Sequence, residues 1–130
     1  MKRRMSHLFR EDGRIVIVAM DHAAFSNKPL EGMIHPGETI RTVVAGGADV
    51  VMTTFGTATG FAHELSRCGL ILTVQPADPV GEHAVETALS IGADGIKGMV
   101  YPWLASDPLS LLNCNRLGAI CHQWQMPFLA

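Results

Sequence analysis

No apolar run in this chain approaches the ~20 residues that a helix needs to cross a bilayer, so it reads as a soluble protein with no membrane partner. An excess of one charge is also missing. Ten Lys and Arg against twelve Asp and Glu leave −2, which supplies no basic surface for nucleic acid. A secretory leader is not evident either, because Met1-Lys2-Arg3-Arg4 is followed by polar Ser6, His7, Arg10, Glu11 and Asp12 instead of an apolar core. Cysteine is scarce, and Cys68, Cys114 and Cys121 form no CxxC pair. They read as buried reduced thiols, which points to a cytoplasmic protein. His7, His22, His35, His63, His83 and His122 lack ligand spacing, so no metal is expected.

What the chain does have is apolar bulk: 48% of its 130 residues are hydrophobic, which excludes intrinsic disorder. One domain over 1–130 is the expectation, burying roughly two-thirds of its unfolded surface. Strand and helix patterns alternate along it. Strands are expected at 14–20, 48–54, 70–74, 95–101 and from 127, and helices at 38–45, 57–68, 82–91 and 109–124. A loop fills 25–37, and Gly118 suggests a break in the last helix. Gly47-Ala48-Asp49 and Gly92-Ala93-Asp94 repeat the same helix-to-strand junction.

Tandem βα units fold as parallel sheets, because right-handed crossovers return each strand in the same direction. An eight-stranded barrel and a doubly wound sheet both satisfy that pattern. Asp21-His22-Ala23-Ala24 stands after the first strand where a GxGxxG or Walker loop would sit, which favours the barrel. The pattern amounts to strands one to five of eight, a partial TIM barrel. A chain of this kind is expected to be a fragment or truncated reading frame, and to self-associate through its open strand edges.

In both architectures, sites form beyond the carboxyl ends of the strands. Asp21 follows six apolar residues, and a poorly solvated carboxylate there suits proton transfer; capping a loop is the competing reading. Tyr101 ends strand four and offers a phenol as acid or base, against simple packing. His22 fits beside Asp21 in a supporting position. Thr53, Thr54 and Thr57 around Gly56 suit hydroxyl or phosphate binding, against plain helix capping by Thr57. Gln75 and Trp103 complete the strand-end polar and aromatic set. Of three lysines, Lys2 falls in a tail expected to be mobile and Lys28 in a solvated loop. Lys97 shares strand parity with Tyr101, four residues and about 13 Å away, and so is expected in a deeper layer, exposed or paired.

Phe9-Arg10-Glu11-Asp12-Gly13-Arg14, Val18-Ala19-Met20-Asp21-His22 and Gly46-Gly47-Ala48-Asp49 resemble the DhnA-type class I aldolases, which include the archaeal-type fructose-bisphosphate aldolases. Thr53-Thr54-Phe55-Gly56-Thr57-Ala58, Gly69-Leu70-Ile71-Leu72 and Val100-Tyr101-Pro102 continue the likeness in order, from about Phe9 to Ala130. The resemblance implies a TIM barrel and carbon–carbon cleavage or formation in phosphorylated sugars through a lysine imine, with no cofactor. It makes Asp21 and Tyr101 catalytic and leaves His22 and Thr54 as substrate-binding residues. It also puts the imine lysine on a sixth strand, outside these 130 residues, so the chain is expected to be inactive alone. The prolinic Gln75-Pro76-Ala77-Asp78-Pro79 departs from a glycine-rich loop expected of the family. Two other functions stay open: a noncatalytic, self-associating scaffold, and a small domain that binds a phosphorylated ligand.

Overall fold

The computed structural model describes residues 2–76 and 80–130. Ala77 to Pro79, most of the prolinic loop, lie outside the described residues. Five strands, β1 (Ile17–Ala19), β2 (Val50–Thr53), β3 (Gly69–Val74), β4 (Gly95–Gly98) and β5 (Phe128–Leu129), pair in chain order and all in parallel. The helices are α1 (Lys2–Leu8), α2 (Pro36–Ala45), α3 (Phe55–Gly60), α4 (Ala62–Leu65), α5 (Val80–Ser90) and α6 (Ser110–Gln123). This is the alternating parallel sheet of a partial TIM-barrel-like fold, with sequential strand order.

Strand register divides the core in two. Val18, Met20, Val51, Leu70, Leu72, Val74 and Ile96 face the helices and pack with Ile40, Leu65, Val85 and Leu117. Alternate residues Ala19, Val50, Met52 and Ile71 turn to the other face, where Leu8 of α1 and Ile15 pack on them. The strands are therefore apolar on both faces, as parallel strands covered on both sides require. The second face is apolar only near the strand starts. Toward the strand ends it becomes polar.

Several elements differ from the sequence expectation. Lys2 lies in α1, not in a loose tail, because Leu8 buries its side chain over β2 and β3. The helix expected at 57–68 is split into α3 and α4 at Phe61, whose φ of −127° and ψ of 34° leave the helical region. α6 runs unbroken through Gly118, where a Cβ would come within 3.2 Å of the Phe128 ring. Gly118 is thus a packing contact, not a helix stop. β1 and β4 are shorter than their apolar runs, since pairing ends before the sequence pattern does.

The repeated junctions have a common job. Asp49 accepts the Val16 N–H at 2.7 Å through one oxygen and Arg10 Nε at 2.6 Å through the other. Asp94 likewise accepts the Leu70 N–H at 3.1 Å and contacts His7 Nδ1 at 2.8 Å. Each carboxylate ties a strand start to the N-terminal segment, so residues 7–10 close the bottom of the sheet. The glycines ahead of them, Gly47 and Gly92, take φ of +97° and +75°. After α6 the same place is held by Gln125 at φ +54°, with Met126 N bonded to Cys121 O as Ala48 N is to Val43 O. A side chain in the left-handed region costs roughly 1 kcal/mol. Gln125→Gly is therefore expected to raise stability by about 0.5–1 kcal/mol, after the entropy glycine adds to the unfolded chain. A urea titration with an unchanged or lower midpoint would show that Gln125 is unstrained.

Candidate active site

The polar end of the inner face is built from three strands. Asp21 follows β1 by two residues and so points to the same side as Ala19. Thr73 of β3 and Lys97 of β4 are register partners and share that side. Lys97 Nζ donates to Asp21 Oδ2 at 2.8 Å, and the Thr73 hydroxyl donates to the same oxygen at 2.7 Å. Only 4% of the Asp21 side chain and 20% of the Lys97 side chain are exposed.

This contact reports the shape of the sheet. β1 and β4 are separated by β2 and β3, which on a flat sheet would place them about 14 Å apart. Side chains standing perpendicular to a flat sheet would not meet across that distance. The 2.8 Å pair therefore spans the hollow of a sheet curled toward a barrel.

Burial raises the Asp21 pKa, but hydrogen bonds from Lys97 and Thr73 and the Lys97 charge outweigh it, leaving the carboxyl below its ordinary value. Asp21 is thus a carboxylate at neutral pH, with a fixed cation beside it. The backbone that carries it is also held: Met20 N bonds to Met52 O at 2.7 Å, and the buried Thr53 hydroxyl donates to Met20 O at 3.1 Å.

The other expected residues are placed differently. His22 is exposed and opens a 3₁₀ turn over His22–Ala24 directly after Asp21. Thr54 is the N-cap of α3, its hydroxyl accepting from Thr57 N at 3.4 Å, so the cap is Thr54 and not Thr57. Tyr101 sits in the turn after β4, its ring edge-on to Trp103 with centroids 6.1 Å apart. Among the described residues no hydrogen bond joins Tyr101 to Asp21 or Lys97. Gln75 is exposed just past β3. The structure thus brings together Asp21, Thr73 and Lys97. Sequence reasoning left Thr73 out and set Lys97 apart from the site. The available signal was a hydroxyl and an ammonium inside strands that are otherwise buried and apolar.

A cleft of about 470 Å³ lies at the opposite, N-terminal end of the strands, lined by His7, Arg10, Asp49, Cys68 and Asp94 among others. Its acids are already bound by Arg10, His7 and strand amides, so it belongs to the closure of the sheet. Cys114 and Cys121 are buried free thiols, and burial pushes the Cys121 thiol up to about 11, which makes it inert.

Parallel βα units with an acid and a base held at the carboxyl ends of their strands define a barrel-type catalytic scaffold. The sequence matches the DeoC/LacD family of aldolases over residues 15–130. The chain belongs to that family.

Proposed function

We propose that the Asp21–Lys97 pair is the carbonyl- and hydroxyl-binding centre of a Schiff-base aldolase acting on a phosphorylated sugar, of the DhnA type within its family. The observation that carries this reading is the ion pair itself, a charged contact across the sheet's hollow at the active end of the strands. In such a reaction a lysine amine adds to the substrate carbonyl and water leaves, giving a protonated imine. The carbon–carbon bond then breaks, its electron pair passing into the imine, while a base takes the proton of the neighbouring hydroxyl. Asp21 is suited to be that base, since it is ionised at neutral pH and enclosed.

Lys97 is held by a carboxylate, and an ammonium so paired is a poor nucleophile. Its role is to place positive charge beside the substrate oxygen. The imine lysine is then the one that the resemblance assigns to a sixth strand. Tyr101 acts as a further acid or base from the β4 turn, and His22 and Thr54 bind substrate at the rim. No cofactor takes part. The protein works in the cytoplasm as a homo-oligomer, a reading supported by apolar Val16 and Ile17 exposed at the β1 edge and Leu129 at β5.

Dihydroxyacetone phosphate titrated into labelled protein tests this reading. The Lys97 Nζ and Thr73 methyl signals are expected to shift saturably, and Lys97→Met to weaken binding by roughly tenfold or more. Shifts confined to the α1 side of the sheet, or none, would remove Asp21 and Lys97 from the substrate site.

A further inference from the structure

We infer that Thr73 is a positioning residue, its hydroxyl fixing the Asp21 carboxylate so that Oδ1 is the oxygen that meets substrate. The inference rests on the aldolase reading for its substrate, but its geometry stands without it. Both side-chain donors of the site converge on one atom. Thr73 Oγ1 and Lys97 Nζ lie 2.7 and 2.8 Å from Asp21 Oδ2, while Oδ1 takes no hydrogen bond from another described residue. An oxygen already accepting two hydrogen bonds, one of them from a cation, is a weak proton acceptor. Its twin keeps its lone pairs free.

Lys97 alone would not hold this orientation. A lysine ammonium is a compact charge on a four-carbon stem with three rotatable donors, and it can follow either carboxylate oxygen. Thr73 is different, because a β-branched side chain in a strand is stiff at χ1. Its hydroxyl sits at a place set by the pairing of β3 with β2 and β4. With Met20 fixed by Thr53 and Met52, the carboxylate is held at both its root and one oxygen. Burial then allows no water to compensate for a lost contact, since Asp21 is only 3% exposed.

Thr73→Val removes the donor and keeps the shape, and Thr73→Ser returns the donor. Two measurements are made on each: the titration of the Asp21 carboxyl carbon by ¹³C NMR, and the Kd for dihydroxyacetone phosphate. Lys97 is the charged group paired with Asp21, and it is present in every variant. The Val variant is expected to titrate at higher pH than the parent and to bind about tenfold more weakly. The Ser variant is expected to recover both to within about twofold. A merely structural role for Thr73 would change melting temperature without moving the carboxyl midpoint. An unmoved midpoint in Thr73→Val, an unchanged Kd, or a folded Ser variant that does not recover would each overturn the inference. If the midpoints move as expected while the parent binds no dihydroxyacetone phosphate, the positioning of Asp21 by Thr73 stands and the proposed substrate falls.

Discussion

Lys97→Met is expected to destabilise the protein by about 2–3 kcal/mol at pH 7, and the loss is expected to vanish near pH 3. Removing one partner of a buried ion pair leaves an uncompensated charge, at a cost of roughly 3–5 kcal/mol when both groups are fully enclosed. One-fifth of the Lys97 side chain is exposed, which brings the figure to the low end. The pH dependence follows from the carboxyl. In the parent, the pair and Thr73 depress the folded Asp21 pKa, so its contribution is present above the unfolded value near 4 and lost as pH falls through the folded value. In the variant, burial acts on Asp21 without the cation and raises the folded pKa. The gap between the two proteins thus opens above about pH 4 and closes when both carboxyls are protonated. Denaturant titrations at pH 3, 5 and 7 measure it. A gap independent of pH would mean that Lys97 stabilises by packing its stem and not by its charge. The double variant Asp21→Asn/Lys97→Met is expected to lose less than the sum of the single losses, by about 1–2 kcal/mol.

The chain pattern made the fold legible where burial leaves a period or a composition signal. β-branched runs bounded by Gly-Ala-Asp located β2 and β4, and the alternation of strands with helices implied a parallel sheet. α1 was not legible, because a single buried residue, Leu8, holds it, and one residue makes no period. The break at Phe61 was hidden for a related reason: no Gly or Pro stands there, and the change of direction is set by packing between α2 and α4. Asp21 was recognisable from its place at the end of an apolar run. Its partners were not, since they lie 52 and 76 residues away in sequence. Distance along a strand made Lys97 look deep relative to Tyr101. The comparison that matters is with Asp21, and curling of the sheet brings β4 across to β1 at that level. Curvature is a collective property of five strands, so no local spacing reveals it.

The same pair makes the reactivity of Lys97 the sharpest test of its role. With glycolaldehyde and cyanoborohydride at pH 8, Lys97 is expected to be the slowest of the three lysines to be alkylated, with Lys2 and Lys28 reacting as exposed amines. Reductive alkylation needs the neutral amine, and Asp21 favours the ammonium through a 2.8 Å contact. Asp21→Asn removes the counter-charge but keeps the size of the side chain and a polar group facing Nζ. An ammonium four-fifths enclosed then has no partner charge, and its environment favours the neutral amine. Labelling of Lys97 is expected to rise by about tenfold or more, the equivalent of at least ~1.4 kcal/mol between the two protonation states. Lys2 and Lys28 serve as internal standards, since neither contacts Asp21, and peptide mass spectrometry separates all three sites. Fast labelling of Lys97 in the parent would make it an imine-forming amine in its own right and displace the assignment of that step to another lysine. Unchanged labelling in Asp21→Asn would show that enclosure, and not the carboxylate, restrains it.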